Sequence, residues 1–335
     1  MAVLMLFVIT VFTVTVGAVE YYQNTHIFSP VTQLKLAAMK KIDVHEHFRA
    51  GGNINYYLAA MEINTIEKMV LIPTDWPPSN PKYKEHLAEL LRIKAQYPDK
   101  FMVFATAWNK DPQAASIIEK AIQGGAEGIK FIDWLSSTKY PDEAGPVNSS
   151  NMYKVYRVAE KYEVPILMHI DFLKKPDWKE QFERVASDFP KVTFILAHYC
   201  RSASGKTPNL ELCAQTLDKF SNVYTDISMG GGLNRYMAYF DKDSKLFRDF
   251  IIRYQDRILW GADVILDGAP YKGQEKNAQW IFKRMLADHL IHQSLVYREP
   301  LYPENKTIHR GLNLPEEVLK KIYWENPKRI LKLNK

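Results

Sequence analysis

Short apolar runs alternate with amphipathic stretches along most of this chain. The runs are Ile42–Phe48, Lys68–Pro73, Phe101–Trp108, Gly128–Asp133, Val164–Ile170, Val192–His198, Val223–Ile227 and Arg257–Asp263. Each is bounded by glycine, proline or polar clusters, which reads as a buried β-strand. Helices are predicted between them. Asn53–Asn64 has apolar positions at Tyr57, Leu58, Met61 and Ile63, and Pro81–Tyr97 ends before Pro98. Asp111-Pro112 opens a helix that Gly124-Gly125 closes. Further helices are expected over Met152–Tyr162, Asp177–Phe189 (stopped by Pro190), Pro208–Phe220 and Ser244–Tyr254. Ser136–Ser150 reads as a turn-rich insertion, and Val264–Arg310 as a helix near Gln274–His289 followed by a Tyr/Pro-rich loop. Leu314–Leu333 reads as a closing helix broken at Asn326-Pro327.

Strands alternating with helices imply parallel βαβ units, and eight such units imply a closed (β/α)8 TIM barrel. The rival is an open doubly wound sheet. It would want a Gly-rich phosphate turn after the first strand, but Gly51-Gly52 is not a G-x-G-x-x-G pattern and no P-loop occurs.

Composition changes this picture little. The 335 residues are 47% hydrophobic and 24% charged, enough for a large core. The net charge of +6 is scattered, with small groups at Lys40-Lys41, Lys174-Lys175 and Lys320-Lys321. That reads as a solvated face, not a nucleic-acid site, and as a mild field attracting anionic small substrates. Met1–Val19 carries no charged side chain, and Val16 and Ala18 are small enough for a cleavage site. It is expected to be a signal peptide or an N-terminal membrane anchor, followed by a connector over 20–40 and the barrel over 41–335. The chain is thus expected to be exported or membrane-anchored, with membrane contact only through that segment. Cys200 and Cys213 are too few for a disulfide framework. An exported protein could pair them, but two buried thiols are expected.

Chemistry gathers where a barrel would place it, at the C-terminal ends of the strands. His45 and His47 stand two apart on the first strand, so they share one face, with Glu46 pointing the other way as a structural residue. Lys130 lies on the fourth strand, His169 ends the fifth, His198 the sixth and Asp263 the eighth. Each has an ordinary reading as a core histidine or a turn acid. Together on successive strands they point to a metal site, because inward polar groups are costly unless paired or bound to an ion.

Asp-x-His-x-His near the start, a strand bearing lysine, two strands ending in histidine and Gly-x-Asp on the eighth resemble the metal-dependent amidohydrolase superfamily. The likeness is strongest to the amidohydrolase-related branch of aminocarboxymuconate-semialdehyde decarboxylase, resorcylate-type decarboxylases and lactone hydrolases. It spans about residues 41–333 and includes the closing Trp324–Leu331, where Pro327 replaces the branch's usual alanine. The resemblance implies that His45, His47, His169 and Asp263 bind a divalent ion, with His198 beside the reacting water as base or stabiliser. Three imidazoles and a carboxylate suit zinc, with manganese as the alternative. One ion is favoured over two, which would require a carboxylated Lys130.

The expected reaction is hydrolysis of an amide or lactone, with Asp263 and His198 as proton carriers. The alternatives are non-oxidative decarboxylation of an aromatic or muconate-type acid, and a non-catalytic exported metal- or solute-binding barrel. Trp76, Trp108 and Trp134 follow strands two to four, and Phe172 and Tyr199 follow strands five and six, which suggests an aromatic pocket for a flat substrate. Lys130 is a candidate substrate-binding lysine. Arg49 and Arg201 are candidate carboxylate clamps, with Arg235 a further possibility. The expected partner is a small molecule, with a homodimer left open.

Overall fold

The computed structural model describes residues 39–73, 80–109, 111–132, 146–266, 278–302 and 304–333. The expected leader, residues 20–38 of the connector, Trp76, Trp134 and most of the 136–150 insertion lie outside the described residues. No helix among the described residues is long and apolar enough to cross a membrane.

The strands are β1 (Lys41–Phe48), β2 (Ile66–Ile72), β3 (Phe101–Ala107), β4 (Gly128–Ile132), β5 (Ile166–His169), β6 (Phe194–Leu196), β7 (Val223–Asp226), β8 (Ile258–Leu259) and β9 (Ile265–Leu266). Their order is β8-β7-β6-β5-β4-β3-β2-β1-β9, and every neighbouring pair is parallel. β8 and β9 are two pieces of one eighth strand, so the sheet closes into the (β/α)8 barrel. The seam between them follows β1. Val44 N donates to Trp260 O (3.2 Å), Asp263 N to His45 O (2.8 Å) and His47 N to Val264 O (2.9 Å). The seam needs glycine at 261, because a Cβ there would stand 2.7 Å from His45 Cβ.

β1 departs from strict alternation. Its pairing with β2 slips between Asp43 and Glu46, a bulge. Ile42 and Val44 pack in the inner cluster with Val70, Met102, Leu167 and Ile195. His45 and His47 nevertheless face the same interior, while Phe48 turns out to Tyr57. The extra residue lets one strand supply both the apolar plug and two imidazoles, as bulges beside active sites do.

The helices are α1 (Ile54–Asn64), α2 (Pro81–Gln96), α3 (Ala114–Gln123), α4 (Ser150–Tyr162), α5 (Pro176–Asp188), α6 (Glu211–Lys219), α7 (Leu233–Arg253), α8 (Ala278–Gln293), α9 (Glu316–Lys320) and α10 (Asn326–Ile330). Asn53 and Asn80 cap α1 and α2, their side chains accepting from Asn55 N (3.1 Å) and Lys82 N (3.0 Å). α7 starts at Leu233, well before the expected Ser244. Leu233, Tyr236, Met237 and Phe240 are all buried at i, i+3, i+4, i+7 spacing, an apolar stripe that carries the helix up to a kink at Asp243. The closing helix is two helices joined by a π-turn over Lys321–Glu325. There Asn326 Nδ2 donates to Gln255 O (2.7 Å) and Ile258 O (2.8 Å), tying the chain end to β8. Part of the expected Tyr/Pro-rich loop is an antiparallel hairpin of β10 (Val296–Arg298) and β11 (Ile308–Arg310).

The expected pair of free thiols is corrected by the fold. Cys200 and Cys213 form a disulfide, with Cα atoms 5.5 Å apart. The reason lies in the turn after β6. His198, Tyr199, Cys200 and Arg201 all have φ between 54° and 58°, a left-handed turn that swings Cys200 against the first turn of α6. Such a run costs roughly 1–2 kcal/mol per non-glycine residue. Four bonds offset it: Arg201 N to Ala197 O (3.1 Å), Ser202 N to Tyr199 O (3.0 Å), Phe172 N to Cys200 O (3.4 Å) and His198 N to Asp226 Oδ1 (2.9 Å).

Candidate metal centre

Two groups of buried or nearly buried ligand-type side chains converge among the described residues: His45, His47 and Asp263, and His45, His198 and Asp226. They differ in what their atoms already hold. In the first, Asp263 Oδ1 lies 3.1 Å from His47 Nε2 and 3.6 Å from His45 Nε2, while Oδ2 lies 3.6 Å from His198 Nε2. His45 Nε2 there also meets Lys130 Nζ (2.7 Å), whereas in the second group the ligand atoms are held by one another and by Ser228. His45 Nδ1 is 2.9 Å from Asp226 Oδ2, and Asp226 Oδ1 accepts from His198 N (2.9 Å), Ser228 N (3.0 Å) and Ser228 Oγ (2.5 Å). His198 Nδ1 is engaged by Ser228 Oγ (2.9 Å) and Ser228 O (3.0 Å). The second group therefore orients the first. Asp226 fixes the far side of His45, so its Nε2 faces Asp263, the arrangement that carboxylate–histidine–metal units use.

The electrostatics fit a cation. Burial lowers His47 to about 4 against the opposing pull of Asp263, and lowers His198 to about 3. Both rings are thus neutral at pH 7, with lone pairs to give. Burial works against ionising Asp263, but His45, His47 and His198 outweigh it and hold the carboxyl well below its usual range. Neutral imidazoles around a fixed carboxylate form a donor set for a divalent ion.

Backbone shape places Asp263. Its φ is 53°, and a Cβ on Gly230 (φ 47°) would fall 2.0 Å from Asp263 Oδ2. The glycines after β7 form a short turn whose first member makes room for this carboxylate. Glu46 is fully buried on the other side of β1. Its Oε1 accepts from Val264 N (3.3 Å), and burial together with Asp43 keeps its carboxyl well above the usual range.

The other predicted residues fall into distinct places. His169 stands beside the site, its ring 5.1 Å from that of His198. Lys130 is fully inside, at the floor of the cluster, with Nζ 2.7 Å from His45 Nε2. Arg201 Nη2 donates to Asp171 Oδ2 (3.2 Å) and the side chain keeps partial exposure. Arg49 is half-buried just past β1, and Arg235 is exposed with Nη1 on Ser204 O (3.0 Å). Trp108 packs on Ile132. Tyr199 packs on Tyr236, Phe247 and Phe250, and Phe172 on Phe182, within the helical layer.

A family model described as amidohydrolase matches residues 40–333. The chain belongs to the amidohydrolase family. No curated protein matches it. Solved structures share this amidohydrolase barrel at low identity. A probable 2-pyrone-4,6-dicarboxylic acid hydrolase from Acinetobacter baumannii, with citric acid bound, is 12% identical at TM-score 0.57, covering 88% of this chain and 100% of that one. 2,6-Dihydroxybenzoate decarboxylase from Rhizobium is 16% identical at TM-score 0.54, covering 89% and 100%. 5-Carboxyvanillate decarboxylase from Novosphingobium aromaticivorans, complexed with manganese and 4-hydroxy-3-methoxy-5-nitrobenzoic acid, is 12% identical at TM-score 0.53, covering 88% and 97%.

Sequence reasoning missed Asp226 and Ser228 in this amidohydrolase. Asp226 offered the signal used for the others, a polar residue at the end of an apolar strand, in Val223–Ile227. Ser228, past the strand end, offered none.

Proposed function

We propose that this amidohydrolase is a metal-dependent hydrolase of a small, carboxylated cyclic or aromatic compound, cleaving an amide or lactone. The observation that carries the reading is the pairing of an ionised Asp263 with a neutral His198 at 3.6 Å, beside His45 and His47. Both groups are in the form that accepts a proton, which is what activation of water requires. His45, His47 and Asp263 would hold a divalent ion, with His169 the remaining ligand candidate beside His198. When bound, the ion supplies Lewis acidity that eases deprotonation of water and polarises a carbonyl. Asp263 accepts the proton of the attacking water and returns it to the leaving group. His198, held by Ser228 and by its own backbone bond to Asp226, keeps its Nε2 toward Asp263 and stabilises the charge that develops. Zinc fits the nitrogen-rich donor set, and one ion suffices for it.

Arg201 and Arg49 would bind the substrate carboxylate. The citrate and nitrobenzoate ligands of the neighbouring structures support an anionic substrate. Two of those neighbours are decarboxylases, which favours loss of CO₂ as the second reading. Assay of lactones, amides and aromatic acids, with and without chelator, separates the two. Ring opening or amide cleavage without CO₂ supports hydrolysis, and CO₂ release supports the carboxy-lyase. Metal binding with no turnover would leave a binding barrel. We further propose export or anchoring through residues 1–19, supported by the Cys200–Cys213 disulfide, a bond that persists in oxidising compartments.

A further inference from the structure

Behind the eighth strand lies a buried ion pair that the reaction does not touch. Arg284 and Asp288 sit one turn apart on α8, both essentially without solvent contact, and Arg284 Nη1 donates to Asp288 Oδ1. Asp288 Oδ2 accepts from Trp260 Nε1 (3.3 Å). The other arm of the guanidinium, Nη2, reaches Ala262 O (3.2 Å) and Gly230 O (3.5 Å).

Those two carbonyls flank Asp263. Ala262 O belongs to the peptide that leads into Asp263, whose φ of 53° lies in the left-handed region. Gly230 is the residue packed against Asp263 Oδ2, where even a methyl group would not fit. Arg284 thus grips both walls of the slot that holds the carboxylate. A buried guanidinium keeps its place only where acceptors satisfy its forked donors. Lysine, a point charge on a flexible stem, cannot span Asp288 and both carbonyls at once.

We propose that Arg284 is a positioning residue for Asp263, holding the left-handed backbone that aims its carboxylate at His45 and His47. This rests on the reading of Asp263 as a metal ligand. Arg284 touches neither ion nor substrate and acts through Ala262 and Gly230. Asp288 orients Arg284 and ties Trp260 into the same brace.

The test is the dissociation constant of the full-length protein for Zn²⁺ and Mn²⁺, by competition with a chromophoric chelator, beside the melting temperature of the metal-free form. Arg284→Lys keeps the charge and loses the fork. It should weaken metal binding by about 10–100-fold, the cost typical of losing an outer support of a metal site. His292→Phe, on the same helix, serves as the structural control: it should lower the melting temperature and leave the dissociation constant unchanged. If Arg284→Lys does not fold, the double substitution Arg284→Met with Asp288→Leu removes both buried charges and carries the same readout with the same expected weakening. Wild-type metal affinity in a folded Arg284 variant overturns the proposal and leaves the metal centre standing. Absence of metal binding by the wild type overturns both.

Discussion

Two groups of buried histidines differ in a way that shows what makes a ligand. His45, His47 and His198 stand at the mouth, and His289 and His292 lie on α8 beneath the eighth strand. Burial lowers His289 and His292 as it lowers His47 and His198. By burial and protonation the two groups look alike. Their partners separate them. At the mouth, the Nε2 edges of His45, His47 and His198 converge on Asp263, with Lys130 Nζ 2.7 Å from His45 Nε2. On α8, the Nδ1 edges of His289 and His292 meet the Tyr323 hydroxyl at 3.2 and 2.8 Å, and the nearby carboxylate, Asp288, is already held by Arg284 and Trp260. A buried histidine becomes a ligand candidate through the carboxylate its Nε2 faces, not through burial.

The largest effects should divide the two groups cleanly. His47→Ala and Asp263→Asn should abolish stoichiometric metal binding and lower kcat/KM by on the order of 10³-fold, since losing one aimed electrostatic group costs about 10²–10³. His292→Phe should leave both unchanged and cost about 1–3 kcal/mol in urea unfolding, because the Tyr323 hydroxyl loses a partner. Loss of activity in His292→Phe would break the comparison. Asp226→Asn should weaken metal binding by about 10–100-fold in chelator competition, with smaller losses in stability, as it frees the far side of His45.

Protons should treat the groups alike. In the metal-free protein His47 at about 4 and His198 and His292 at about 3 sit below the unfolded value near 6.5, so between those limits the unfolded chain binds more protons. Stability therefore falls as pH drops from about 6.5. His47→Gln and His292→Phe should each reduce the slope at pH 5 by about one proton, measured by urea unfolding across pH. An unchanged slope in either would mean that ring is already protonated in the fold. The smallest effect concerns substrate. Arg201→Ala should raise KM for carboxylated substrates by roughly tenfold, one lost charge-assisted contact, with kcat nearly kept. Unchanged turnover of carboxylated substrates would remove Arg201 from binding.

The barrel was legible because its strands are short, apolar and evenly separated by helices, and because polar residues at their ends violate the core pattern. His45, His47, His198 and Asp263 stood out that way, and the fold brings them together. What sequence could not give depends on local backbone geometry. The bulge in β1, the left-handed turn at His198–Arg201 and the positive φ of Asp263 carry no glycine that would announce them in the sequence. The disulfide followed from that turn, so the cysteine count alone pointed wrongly to free thiols. Arg284 was invisible for another reason. Its helix lies past the last strand of the barrel, and only the closed barrel sets it behind Asp263.

The most direct measurement is metal content. The full-length protein, stripped with chelator and back-titrated with zinc, should retain one ion per chain by elemental mass spectrometry. His47→Ala and Asp263→Asn should retain none while still folding. A wild type that binds no ion, or binding that survives both substitutions, would contradict the account.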